Sequence, residues 1–501
     1  MRVYLFILLI MKKIALIPIL FFVLITSVFL LYITINYFLY GDARLTKKGG
    51  LACEDCNLII ISLTNTRKDH IGLYGYNLDT TPNIDEFFKD SLIFENAFSP
   101  TSWTLPAAAS LFTSLFPQAH GIINRHEGKK IPANQQTLAE ILKNNNYKTA
   151  AFTGGGDYNR VYGFNRGFDE YNDNKNFAGI SDSINDITDW LNTNKEKKFF
   201  LFIQGFDTHC PFNPPYPYNE KYNDGNDSRL DASTCYWNLN KDALRTSDEE
   251  QKYIVYKQGR GINEPIQISL DEADRKRLIG LYDGAINYAD EFLKDIFSSI
   301  EELKLKKKTI VVFLSEHGDL LGENGRFMRT DILGTFSDRV LNIPLLIKHP
   351  AVDEERRING LVNLVDLAPT LLSFLDIEYD SSKIHGKNVL PLIERGKEMN
   401  KYAYAEMVYR ESKENPFFKN IYAVSMIRNL ENKLIYERIL NLENKTLIKE
   451  KYKFYVVKKD PLELNNLFKK TRFSDEIDEL RNELLKWRET TDFLHDLDTI
   501  P

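Results

Sequence analysis

Hydrophobic and polar positions are distributed least evenly at the start of the chain. From Ile14 to Tyr40, IALIPILFFVLITSVFLLYITINYFLY, no charged residue occurs, and the run exceeds the roughly 20 residues that a helix needs to cross a bilayer core. It predicts a transmembrane helix over 14–40, after a short segment 1–13 and before a linker 41–56. No small-residue cleavage site follows it, so the run predicts an uncleaved anchor. Lys12 and Lys13 precede it, while Asp42, Arg44, Lys47 and Lys48 follow, which leaves the charge rule for orientation without a strong lever. The apolar VYLFILLI before Met11 extends the span, lies at the interface, or precedes a second start at Met11.

Beyond the linker the pattern alternates. NLIIISL (57–63), YKTAAFT, KKFFLFIQGF, KTIVVFLSE and NIPLLIKHP are short apolar runs of buried-strand character. QTLAEILKNNN, DSINDITDWLNT, ADRKRLIGLYDGAINYADEFLKDIFSSIEEL and LVNLVDLAPTLLSFL carry helical spacing between and after them. Strands alternating with helices predict an α/β domain over 57–398, with a central, mostly parallel sheet flanked by helices. From about Met399 the texture changes to YAYAEMV, IYAVSMI, KLIYERI and KYKFYVV, followed by the helical DEIDELRNELLKWRE. This predicts a small antiparallel C-terminal α+β subdomain over 399–501. Pro211 to Glu264, rich in Asn, Asp, Pro and Tyr, reads as an insertion with little periodicity.

Composition narrows the function classes. The chain has 501 residues, 43% hydrophobic and 27% charged, with a formal charge of −6, and lacks the broad basic field of a nucleic-acid binder. Four cysteines occur: Cys53, Cys56, Cys210 and Cys235. The Cys53-x-x-Cys56 spacing suits a redox pair, half of a zinc site, or a local disulfide in an oxidising compartment.

Candidate chemistry gathers where strands end. TNTRKDH follows the opening strand and SEHGD, Ser315 to Asp319, follows TIVVFL; such carboxyl edges are where open α/β sheets bind ligands. Between them lies TSWTLPAAASLFTSLFP, in which Pro106 suits a helix's first turn. Thr104 is then an ordinary helix cap, or a hydroxyl placed to attack an anionic ester held at the helix start.

These segments together resemble the sulfatase family, within the alkaline-phosphatase-like group of metal-dependent phospho- and sulfo-transfer enzymes. NLIIISLTNTRKDHIGLYGY resembles the family's opening strand and metal loop, TSWTLPAAASLFTSLFPQAHGI its nucleophile helix, and FDTHCPFNPP the loop bearing a substrate-side histidine. VVFLSEHGDLLGENG, NIPLLIKHP and KKDPLELNNLF follow in family order. The departures fall on the chemistry. Thr64 and Asn65 stand where members usually carry aspartate, and Thr104-Leu105-Pro106-Ala107-Ala108 stands in the C/S-x-P-x-R pattern that yields formylglycine. Glu316-His317 replaces Asp-His or Asp-Asn, and Asn324 stands where relatives often have histidine. Asp69 matches a position that supports the metal loop.

The resemblance therefore implies catalytic roles for Thr104 and His209, and one divalent ion held by Asn65, Thr104, Glu316 and His317, with no formylglycine. With one carboxylate and one imidazole, that set favours manganese or zinc over calcium. The function it implies is a membrane-anchored, extracytoplasmic, metal-dependent phosphoester transferase or hydrolase acting on a lipid-linked or cell-envelope substrate. Two alternatives stand beside it: a non-catalytic binding or assembly protein, working with a membrane partner, and an atypical sulfuric ester hydrolase.

Overall fold

The computed structural model describes residues 50–491 apart from 124, 126–128, 224–227, 229–233, 239–252, 258–264, 269–270, 324–326, 329–335 and 411–419. The predicted span over 14–40, both candidate starts and Asn324 lie outside these residues. Among the described residues no helix is long and apolar enough to cross a membrane. The chain forms two compact units, Met1–Ala52 and Cys53–Pro501; everything below concerns the second.

Its centre is a nine-stranded sheet built from β1 (Asn57–Leu63), β2 (Leu92–Phe98), β3 (Lys148–Phe152), β4 (Glu170–Asn172), β5 (Phe199–Gly205), β6 (Thr309–Leu314), β7 (Asn342–Ile343), β8 (Leu345–Lys348) and β9 (Arg356–Asn363). The order is β7-β2-β8-β6-β1-β5-β3-β4, with β9 paired to β2. β6, β1, β5, β3 and β4 run parallel to one another. β8 runs antiparallel to both β6 and β2, and β7 antiparallel to β2. NIPLLIKHP thus forms two strands, β7 and β8, on either side of Pro344, and both run against their partners.

Both faces of the parallel part are buried, which is why these strands read as unbroken apolar runs. One face presents Ile59, Ile61, Leu201, Ile203, Val311 and Phe313 to helices α1 (Pro82–Phe88), α4 (Ile184–Asn194) and α5 (Glu272–Glu302). On the other, Phe202 meets Phe112 of helix α2 (Thr104–Thr113), their rings 4.9 Å apart. A third helix, α3 (Leu138–Asn144), carries a full capping box between Thr137 and Glu140.

Two readings of the sequence change. LVNLVDLAPTLLSFL is not helical throughout: Leu361–Asn363 finish β9, paired to Asn96–Phe98, and only Leu367–Phe374 forms helix α6. Backbone pairing with β2 overrides the helical spacing there. The insertion carries two strands, Thr234–Asn238 and Tyr253–Lys257, which form an antiparallel sheet with a third just beyond it, Pro265–Ile268; strands of four or five residues are too short to stand out in the sequence.

The C-terminal region is a four-stranded antiparallel sheet, Ala403–Arg410, Asn420–Arg428, Lys433–Asn441 and Leu447–Tyr455. Helix α7 (Ser474–Thr491) covers one face through Ile477, Leu480 and Leu484. On the other, Met407, Val424 and Met426 pack with Phe98 and Leu341 of the main domain. Polar contacts lock this seam: Asp338 accepts from Arg428 and, at 2.9 Å, from Lys433, which also reaches Glu463 at 2.9 Å. Burial would raise the Asp338 carboxyl, but Arg428 and Lys433 outweigh it and bring it down to about 2. Cys53 and Cys56 form a disulfide, the local bridge among the three readings of that spacing.

Asp290 of α5 caps a different helix. Its carboxylate accepts from the backbone N–H of Asn83 (2.9 Å) and Ile84 (2.8 Å) at the start of α1. Asp290→Ala strips both donors of their acceptor and is expected to cost about 2 kcal/mol, read as a fall in the urea midpoint at unchanged slope. A change below a few tenths of a kcal/mol would contradict this role.

Candidate active site

The parallel register sets the site. Ser62 lies opposite Gln204 of β5 and Leu314 of β6, so the segments after all three strands open at one edge of the sheet. After β1 the chain turns through Asn65, whose φ of 65° is left-handed, a conformation asparagine tolerates better than most residues. Tyr282 of α5 pins this turn, donating to Asn65 O at 2.7 Å and accepting from Arg67 N at 2.7 Å.

Arg67 is the loop's internal clamp. Its guanidinium is only 3% exposed and forks onto Asp69 at 2.9 and 2.8 Å, onto Glu323 at 2.6 Å and onto the Asp319 carbonyl at 3.2 Å. Burial alone would lower its pKa, but Asp69 and Glu323 outweigh burial and raise it. Asp69 also pairs with Arg339 and so braces the loop. Gly318 makes the close approach feasible: a Cβ there would meet Arg339 O at 2.4 Å and Arg67 Cγ at 2.9 Å.

Thr104, Glu316 and His317 converge, all with zero exposure. Thr104 is the first residue of α2, not its cap; Trp103 holds the cap position and makes no capping bond. The Thr104 hydroxyl instead lies 3.1 Å from His317 Nε2. His317 Nδ1 lies 2.8 Å from Gly318 O, and since a carbonyl only accepts, Nδ1 carries the proton and Nε2 receives the threonine's. Ser62 donates to Glu316 Oε2 at 3.0 Å, while Oε1 accepts no hydrogen bond of its own. Burial pushes the Glu316 carboxyl up; the hydroxyls of Thr64, Ser62 and Thr104 nearby work against that without cancelling it.

Asn65 and His209 are placed differently. The Asn65 amide donates to Asp319 Oδ2. His209, half-buried, sets Nδ1 2.6 Å from Cys210 O, and its neighbour Thr208 donates to Thr64 O. Cys210 is itself disulfide-bonded. Sequence reasoning missed Ser62, Gln204, which donates to Thr64 Oγ1 at 2.7 Å, and Asp319. Each was visible as a polar residue within or just past an apolar strand.

The donor set is a poor fit for the divalent ion that the resemblance implies. Among the described residues no three His, Cys, Asp or Glu side chains are grouped to hold a metal. His317 Nε2 is turned onto Thr104, the Asn65 amide onto Asp319, and Glu316 is the single carboxylate at the Thr104 hydroxyl. Among the described residues Asn65 Oδ1 and Glu316 Oε1 are buried without a hydrogen bond, and these two oxygens are atoms a cation would suit.

The fold defines an alkaline-phosphatase-like α/β domain. The sulfatase profile matches residues 56–377 and a profile for the C-terminal part of N-sulphoglucosamine sulphohydrolase matches 328–490; the chain belongs to the sulfatase family. It is similar to an arylsulfatase of Clostridium perfringens, 23% identical over 86% of this chain and 94% of that protein. It is also similar to arylsulfatase K of Gallus gallus, 24% identical over 62% of this chain and 61% of that one. A phosphonate monoester hydrolase of Agrobacterium radiobacter superposes with a TM-score of 0.67 at 18% identity, over 87% and 96% of the two chains, a likeness of fold.

Glu316 yields a pH test. A carboxyl whose folded pKa is raised lends stability that is full below its unfolded pKa, near 4, and is lost as pH rises through the folded value. In chelator-treated protein, Glu316→Gln is therefore expected to gain melting temperature over the parent as the pH is raised from about 5 to about 8. A variant that loses ground across that range would contradict a metal-free, neutral-leaning Glu316.

Proposed function

We propose that the chain is a non-catalytic sulfatase-fold binding protein, anchored to a lipid bilayer by residues 14–40 with its body extracytoplasmic, which holds an oxyanion-bearing ligand at the carboxyl edge of the sheet. The observation that carries this is that the side chains the resemblance assigns to a metal are bonded to other protein groups. Thr104 lies on His317, Ser62 donates to Glu316 and Asn65 to Asp319, while Asn65 Oδ1 and Glu316 Oε1 are left without a hydrogen bond among the described residues. Thr104 carries a methyl on Cβ, so oxidation would give a ketone and not the aldehyde of formylglycine. Ala108 supplies no cation where the family pattern has arginine. The free N–H groups at the start of α2 still favour an anion.

In this reading the purified chain carries well under one divalent ion. It does not turn over 4-nitrophenyl sulfate or 4-nitrophenyl phosphate with calcium, manganese or zinc added. One bound ion per chain, lost in Glu316→Gln together with turnover, would overturn it.

One observation favours a second reading. Thr104 Oγ1 at 3.1 Å from an accepting His317 Nε2 is the nucleophile–base pairing that activates a hydroxyl. Oγ1 would attack phosphorus or sulfur as its proton passes to Nε2, the P–O or S–O bond to the ester's alcohol or phenol would break with that group departing, and the phosphoryl or sulfuryl group would be left esterified to Thr104. His209 would stand toward the leaving group. Intact mass after incubation with activated aryl phosphates and sulfates separates the two: the second reading requires an adduct absent from Thr104→Val, the first requires none.

A further inference from the structure

The candidate site occupies the edge of the sheet where the parallel strands end. The opposite edge, where they begin, is rich in lysine. Asn57, Phe199 and Thr309 open β1, β5 and β6 side by side: Asn57 Oδ1 accepts from Phe199 N at 3.1 Å, and Asn57 Nδ2 donates to Thr309 Oγ1 at 3.3 Å. The segments leading into these strands are laced together as well. Lys198 Nζ donates to Glu54 O at 2.5 Å, Lys308 Nζ to Lys195 O at 3.1 Å, and the Lys148 N–H at the start of β3 to Lys198 O at 2.9 Å. Two of these lead-ins, KEKK (195–198) and KLKKK (304–308), carry seven lysines, against five carboxylates from Glu54, Asp55, Glu196, Glu301 and Glu302.

Cations after a helix ordinarily complement its carboxyl end. That role does not account for these. Neither α4 nor α5 has a basic residue in its last turn, and α5 closes on Glu301 and Glu302. The lysines lie beyond the helices, and Lys197, Lys304 and Lys306 to Lys308 are exposed. Lys306 pairs with Glu301 at 3.2 Å, but Lys195, Lys197, Lys198 and Lys308 bond to uncharged amide or carbonyl oxygens. Their charge stays available to an anionic surface.

The chain also enters the body at this edge. Cys53 N donates to Phe374 O at 2.6 Å and Tyr147 donates to Cys56 O at 3.0 Å, fixing the entry beside Lys198. Twelve residues separate Tyr40, the last of the charge-free run, from Cys53, a reach of about 40 Å at full extension. We propose that the lysine edge rests on the anionic phospholipid headgroups of a bilayer. The proposal goes beyond the binding role of the site, and for its tether it rests on the reading of 14–40 as an anchor. Lysines attract an anionic leaflet only within about a Debye length, roughly 10 Å, and the short tether keeps the edge near that range.

The full chain, reconstituted into vesicles of phosphatidylcholine alone or with about 30% phosphatidylglycerol, tests this through the rate at which a membrane-impermeant reagent acetylates Lys304, Lys306, Lys307 and Lys308. Exposed Lys449 is the reference, in the C-terminal sheet that packs on Phe98 at the far end of β2. Phosphatidylglycerol is expected to slow the four relative to Lys449 about fivefold at low salt, and about 0.5 M NaCl to restore them. In the triple variant Lys306→Glu, Lys307→Glu, Lys308→Glu, Lys304 is expected to lose the slowing with the melting temperature unchanged, as suits exposed positions. Slowing that persists in the variant would overturn the assignment. Equal rates in both vesicles, with the chain retained on both, would overturn the lysine edge and spare the anchor. A chain that floats only with phosphatidylglycerol vesicles and is released by salt would spare the edge and overturn the anchor; a chain that floats with neither would overturn both.

Discussion

The withdrawal of one carboxylate from water organises the edge of this sheet. Glu316 follows β6 directly and has zero exposure, and a buried carboxylate must be paired, hydrogen-bonded or neutral. Among the described residues no cationic side chain is bonded to it. Ser62 donates to one oxygen, the hydroxyls of Thr64 and Thr104 stand near, and burial pushes the group toward its neutral form. Ser62 can reach it only because β1 and β6 run parallel in the register that sets Ser62 beside Leu314. Topology therefore determines the site's electrostatics, and the site's electrostatics decide how it can be used.

The surrounding parts serve that constraint at increasing distance. Arg67 holds the loop after β1 to Asp69, Glu323 and Asp319 O, and Tyr282 holds the turn at Asn65. Together they put cationic charge beside the site but aim it away from Glu316. In the family pattern that the sequence resembles, aspartates at the positions of Thr64 and Asn65 would add negative charge here and require a cation. With neutral side chains the same loops close on themselves, and His317 accepts from Thr104.

Much of this was legible in the sequence, and for physical reasons. Strands buried on both faces leave unbroken apolar runs, so NLIIISL marked β1 residue for residue, and the polar break after TIVVFL marked Glu316 and His317. Pairing direction was not legible, because antiparallel β8 is as apolar as its parallel neighbours. Nor was the end of β9, where LVN carries helical spacing but pairs with β2. Asp319 stood in SEHGD without an assigned role, since its partnership with Asn65 spans 254 residues.

The central claim is that Thr104 and His317 are bonded to each other and that the site does not hold a metal. Anomalous diffraction from crystals soaked in manganese, collected on either side of the manganese absorption edge, tests it most directly. The account predicts no anomalous peak at the site, with Thr104 Oγ1 still bonded to His317 Nε2. A peak within coordination distance of Glu316 Oε1, with Thr104 turned from His317 toward the ion, would contradict it.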